Sequence, residues 1–185
     1  MRKLLAVLLL VGLMAISAGC SEPGKDAETG EAEVVEPVTT EDKNGGSMSK
    51  SYVKSELTPL VNSIASTVDS TWKFYFTEPA ERFAKNGNRE SYVSDVELCR
   101  SLLKGVFPKI ESLEAPDYLS SEDKRSVNVI RESLHKAVTS RLEALEIALE
   151  TDKLSESELL DKIKNSNTHL ENASLAYKDL RAKYQ

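Results

Sequence analysis

The chain has 185 residues, with 30 carboxylates against 24 lysines and arginines, a formal charge of −6, and hydrophobic, aromatic and charged fractions of 40%, 6% and 29%. The acidic balance leaves no basic stripe to displace counterions from phosphates, which excludes a nucleic-acid partner, and it disfavours a domain lying flat on anionic lipid. Few glycines and prolines (8 and 6) and few aromatic residues fit a helical protein, and the length suits one domain with a sizeable core.

The chain opens with Arg2 and Lys3, followed by an apolar run of 13 residues from Leu4 to Ile16 and then Ser17-Ala18-Gly19-Cys20. The run is too short to span a bilayer and has the length of a signal-peptide core. Ala18, Gly19 and Cys20 together resemble the bacterial lipoprotein signal. Ser17 departs from that pattern, which usually has leucine or another aliphatic residue there. The resemblance implies removal of residues 1–19, lipidation of the Cys20 thiol, and attachment to the extracytoplasmic face of the cell membrane, with the lipid bilayer as a partner. Acyl chains anchor at about 0.8 kcal/mol per buried CH₂, and two or more hold where one barely does.

Loss of Arg2 and Lys3 takes the mature chain from −6 to −8. From Ser21 to Ser49 there are eight carboxylates against Lys25 and Lys43, no aromatic residue, and a closing Asn44-Gly45-Gly46-Ser47. Such a segment buries too little apolar surface to offset its ordering entropy. Residues 20–49 are therefore expected to be a disordered acidic linker spanning roughly 30 Å, and residues 50–185 a helical domain. With Cys20 lipidated, Cys99 has no cysteine left to pair with.

Four helical stretches follow. In the first, from about Ser51 to Lys85, Val53, Leu57, Leu60, Val61, Ile64, Val68, Trp72 and Tyr75 recur at steps of three and four. Pro59 is expected to start or kink this helix and Pro79 to bend its far end. The second begins near Arg89 on Val93, Val96, Cys99, Leu103, Val106, Ile110 and Leu113, with a kink or break at Gly105 and Pro108. Cys99 on that stripe reads as a small core residue. The third starts at a capping box of Ser120 and Asp123 and runs along Val127, Ile130, Leu134, Val138, Leu142, Leu145 and Leu149. The fourth starts at Ser155 and Glu158, stapled by Leu154 and Leu159, and carries Ile163, Leu170, Ala173, Tyr177, Leu180 and Tyr184. Ser166 and Asn167 interrupt its apolar face, either as a polar layer that sets register or as a notch open to water.

Long amphipathic stretches joined by short connections specify an all-α fold, an antiparallel up-down four-helix bundle with coiled-coil-like seams behind the linker. By its architecture the domain resembles small all-helical lipoproteins of Gram-positive bacteria, a likeness that transfers no functional residue.

Several chemistries fail on the residues themselves. Glu132-x-x-His135 has the spacing used in di-iron bundles, but His169 has Ser166 where the second copy needs a glutamate, so no metal is assigned. Neither histidine belongs to a recognisable nucleophile motif, and there is no P-loop, dinucleotide fingerprint or zincin motif. No catalytic residue and no cofactor are therefore assigned. The aromatic run Trp72-Lys73-Phe74-Tyr75-Phe76 remains. On one helix, Trp72 and Tyr75 fit the stripe while Phe74 and Phe76 point elsewhere. This run is the candidate surface for a partner or apolar ligand. The expected function is a non-catalytic interaction module for an envelope protein partner. The alternative is a small-ligand or sensing bundle with a pocket at Trp72 and Tyr75 or at the Ser166/Asn167 notch.

Overall fold

A computed structural model describes residues 43–150 and 156–185, and among them the fold is all-α, with no strand. The signal sequence, Cys20, most of the acidic linker and the Leu154-Ser155 start of the last helix lie outside the described residues.

The first stretch is a single rod. α1 (Lys43–Tyr52), α2 (Thr58–Trp72) and α3 (Glu78–Asn86) are joined end to end by two π turns, Val53–Leu57 and Lys73–Thr77. The cause is the pair of prolines. A helical proline donates no hydrogen bond, and its ring presses on the carbonyl four residues back. For Pro59 and Pro79 those carbonyls belong to Ser55 and Tyr75, the central residues of the two π turns. Widening the turn relieves both conflicts. The Thr58 N–H donates to the Val53 carbonyl and the Glu78 N–H to that of Lys73, each five residues back. The Thr58 hydroxyl adds a second bond to Val53 at 2.6 Å. The prolines therefore neither start nor break the helix, and the rod runs on until Gly87, whose φ of +69° and N–H bond to the Phe83 carbonyl close its end.

At the second wide turn the buried stripe steps by five, from Thr71 to Phe76, while at the first it runs through Tyr52, Val53 and Leu57. This corrects the expected assignment of the aromatic run. Phe76 is fully buried, Trp72 and Tyr75 are half-buried, and only Phe74 has the outward position assigned to it. The linker boundary is corrected too. Residues 43–49 belong to α1, because Ser49 and Tyr52 are buried there and the Ser49 hydroxyl shares a hydrogen bond with Tyr184. Once one turn is held by packing, propagating it backward fixes only one residue per added bond.

Asn88 caps α4 (Arg89–Lys104), accepting the Ser91 N–H at 3.1 Å. Gly105 ends that helix as expected, and α5 (Phe107–Glu111) restarts with Pro108 in its first turn, where a missing N–H costs nothing. The following loop is held by the Tyr52 hydroxyl, which donates to the Glu114 carbonyl at 2.8 Å. α6 (Ser121–Leu149) begins at the Ser120 cap, and α7 (Glu156–Ala182) packs along it. Their contacts descend in one helix as they rise in the other: Glu143 with Lys162, Ala137 with Ser166, Asp123 with Tyr184. One core joins all the stretches, from Leu57, Ile64 and Val68 through Val96 and Leu103 to Ile130, Leu145 and Leu180.

The shifted register predicts a sharp asymmetry between two neighbouring aromatics. Phe76→Ala empties a fully buried site and is expected to cost about 3–5 kcal/mol. Phe74→Ala changes a half-exposed side chain and is expected to stay within about 0.5 kcal/mol. Urea denaturation of the two variants measures both. Equal losses would contradict the π-turn register.

Candidate interaction site

The aromatic run has a locked inner side and a bare outer side. On the inner side the Trp72 and Phe76 rings meet at 4.3 Å between centroids, tilted by 38°. The Arg141 guanidinium lies 5.0 Å from the centre of the Trp72 ring, a cation–π distance. Arg141 comes from the core face of α6 and is buried. It donates to the Val68 carbonyl at 2.8 Å and to Asp69 Oδ1 at 3.3 Å. Burial pulls its guanidinium below the ordinary arginine range, and the Asp69 carboxylate opposes that pull. Beside it the Cys99 thiol contacts the Thr71 carbonyl at 3.7 Å. Burial pushes this thiol up to about 12 despite nearby Arg141, and the side chain packs in the core. Both carbonyls lie in the turn just before the second π turn, so α4 and α6 grip the rod at that point.

On the outer side, Phe74 is 50% exposed and Lys73 reaches over its ring at 5.4 Å. The structure thus separates the four candidate residues. Phe74 meets solvent, Trp72 and Tyr75 offer an edge each, and Phe76 offers nothing to a partner. Farther along the rod, Phe83 stacks on Tyr92 of α4 at 5.1 Å.

The other candidates resolve into packing. His135 is exposed and leans on Phe107 at 4.8 Å, and Glu132 is exposed as well. Among the described residues no group of three or more histidine, cysteine, aspartate or glutamate side chains could hold a metal ion. Ser166 is fully buried and donates to the Ala137 carbonyl at 2.9 Å, so the gap in the last stripe is a polar layer between α6 and α7, not a notch open to water. Two grooves open to solvent lie elsewhere. One, of about 540 Å³, runs between Tyr52, Glu56 and Leu60 on the rod and Leu113 to Asp117 in the loop. The other, of about 340 Å³, lies at Lys54, Thr58 and Arg181.

A second polar cluster gathers at the start of α6. Asp123 is buried. It accepts from the Tyr184 hydroxyl at 2.5 Å, the Ser120 hydroxyl at 2.8 Å and Lys183 Nζ at 3.3 Å. Burial pushes its carboxyl up, but the bonds from Tyr184, Ser120 and Lys183 together outweigh burial and hold it below the ordinary carboxylate range. Lys183 also pairs with Glu122 at 2.9 Å. Sequence reasoning treated Asp123 only as a capping residue and passed over Arg141. The available signal for Arg141 was its position, three residues after Val138 and four before Leu145 on a stripe otherwise apolar. No family model matches the chain, and no curated protein or solved structure matches it either.

Asp123 generates a prediction with a definite sign. Its folded-state pKa is depressed, so its contribution is fully present above the unfolded-state value near 4 and is lost as pH falls through the folded value. Asp123→Asn is expected to lower stability by about 2 kcal/mol at pH 7. The gap from wild type should close under acid conditions. Urea melts at pH 7 and pH 3 test this, and a pH-independent gap would rule out an ionised Asp123 as the source.

Proposed function

We propose that the chain is a membrane-anchored extracytoplasmic lipoprotein whose domain, an antiparallel up-down four-helix bundle, is a non-catalytic interaction module for an envelope protein partner. The observation that carries the interaction reading is Phe74, half-exposed on the outer side of a segment whose inner side is packed shut by Phe76, Trp72 and Arg141. An aromatic side chain in that position contributes apolar area to a contact without weakening the core. The small-ligand reading has less support. It needs space between helices beside Trp72 or at Ser166. Phe76 and Arg141 occupy the first, and the Ala137 carbonyl takes the Ser166 hydroxyl at the second.

The anchor rests on Ala18-Gly19-Cys20, on the apolar run before them, and on the acidic composition of the residues that follow. A lipidated chain on a spacer of this length holds its domain within a few tens of ångströms of the membrane and raises its effective concentration towards partners there. No helix among the described residues is long and apolar enough to cross a membrane, and the proposed attachment is the lipid on Cys20.

The test is fractionation. Wild type is expected in the membrane fraction, with a mass reporting removal of residues 1–19 and addition of acyl chains. Cys20→Ala is expected either to leave the membrane or to retain its signal uncleaved. Normal cleavage together with normal membrane retention of Cys20→Ala would overturn the anchor.

A further inference from the structure

The smaller of the two grooves, about 340 Å³, is lined by Val53, Lys54 and Thr58 on the rod and by Arg181, Tyr184 and Gln185 at and beyond the last turn of α7. Its hydroxyls are committed. The Tyr184 hydroxyl donates to Asp123 and the Thr58 hydroxyl to the Val53 carbonyl. The lysines beside it are committed too. Lys50 donates to the Gln185 carbonyl at 3.4 Å, and Lys183 pairs with Glu122 and Asp123. Lys54 and Arg181 are the exceptions. Both are exposed, one on each wall, and among the described residues neither side chain has an ion-pair or hydrogen-bond partner. The Tyr177 hydroxyl, bonded to that of Thr58 at 3.0 Å, holds α7 against the first wide turn. Arg181 follows Tyr177 by four residues and Lys54 precedes Thr58 by four, so the same bond keeps the two walls together.

Two cations on facing walls, with no anion between them, suit carboxylates, and an arginine takes one through both prongs of its fork. The chain carries carboxylates within reach. Residues 21–42, outside the described residues, hold eight of them against Lys25. Glu33 and Glu36 stand three apart, with Val34 and Val35 between them and Pro37 after them. A residue before proline favours extended backbone, which sets two such carboxylates roughly 10 Å apart. Lys54 lies eleven residues along the rod from its start at Lys43, roughly 17 Å. Glu36 is seven residues before Lys43, so an extended return reaches roughly 23 Å. We infer that this groove is a docking site for the chain's own acidic linker, which folds back along α1 and seats Glu33 and Glu36 beside Lys54 and Arg181. A tethered segment meets the groove at roughly millimolar effective concentration. The same carboxylates repel an anionic lipid surface that would compete for it.

Exposed ion pairs are individually weak and are screened by salt. The docking is therefore a reversible latch on the reach of the domain. When it is closed, residues 21–32 remain free and span roughly 19 Å, against roughly 26 Å for residues 21–42 when it is open. In the anchored chain proposed above, closing draws the domain towards the membrane and rising salt lets it out. The latch itself depends neither on lipidation of Cys20 nor on the interaction-module reading.

The experiment places a photo-crosslinking side chain at Val35 of the purified full chain, which leaves every carboxylate in place. Adducts within one chain are mapped by digestion and mass spectrometry. Adducts to residues 51–58 or 178–185 are expected at low salt. They should fall several-fold at about 1 M salt, where the screening length is about 3 Å. The double variant Lys54→Glu, Arg181→Glu should remove them with an unchanged melting curve, since both sites are exposed. Adding Glu33→Lys and Glu36→Lys to that variant should restore them. If the double variant melts early, Lys54→Gln with Arg181→Gln gives the same reading without reversed charge. Adducts spread over the whole domain, adducts insensitive to the double variant, or adducts that the charge swap fails to restore overturn the latch. Absence of Val35 adducts in these two segments overturns it as well. If phosphatidylglycerol vesicles then bind wild type and not the double variant, the groove belongs to a lipid headgroup instead.

Discussion

A helix that must carry two prolines without breaking governs the arrangement of this protein. At Pro59 and Pro79 the backbone needs a place for a ring where a carbonyl would stand, and the rod supplies it by widening one turn before each. The two wide turns start twenty residues apart, at Val53 and Lys73. Each rotates everything beyond it relative to an ideal helix. The second sends Phe76 into the core and leaves Phe74 outside. The division between a packed interior and an apolar exterior in the aromatic run follows from that local steric conflict.

The polar interactions reinforce the same points. Arg141 enters the core from α6 to hold the Val68 carbonyl, and Cys99 faces the Thr71 carbonyl from α4, so the turn before the second wide turn is clasped from two sides. A buried guanidinium is costly unless hydrogen-bonded and paired. Here Asp69, the Val68 carbonyl and the Trp72 ring share that role. At the other end of the domain, the first wide turn lies next to the Tyr177 hydroxyl, which bonds the Thr58 hydroxyl at 3.0 Å, and close to the Asp123 cluster that ties the chain's last turn to the start of α6. Buried polar groups thus fix the register of helices that apolar packing alone would allow to slide.

Function follows from which surfaces remain. The inner faces are closed, His135 leans on Phe107, and the Ser166 hydroxyl is taken by the Ala137 carbonyl. Outside them, Phe74 on the rod and Leu98 and Leu102 on α4 stand exposed.

Most of the helical content was legible in the sequence because it is set locally. Steps of three and four marked the stripes of α4, α6 and α7, Ser120 marked a cap, and Gly105 marked a break, each through its own backbone or its nearest neighbours. The resemblance of Ala18-Gly19-Cys20 to a lipoprotein signal likewise rests on a linear pattern. The wide turns, the inward turn of Phe76 and the burial of Arg141 were not legible, and the sequence left the Ser166 gap open between a polar layer and a notch. The wide turns depend on whether a proline is answered by a break or by a bulge, and the packing of the rod against α4 and α6 decides that. The inward turn of Phe76 follows from the same choice. The polar layer at Ser166 and the burial of Arg141 required partners far along the chain, Ala137 for one and Val68 and Asp69 for the other. Sequence by itself determined the periodicity, the Ser120 cap and the break at Gly105. Tertiary structure decided register and exposure, because those depend on contacts between residues that only the fold brings together.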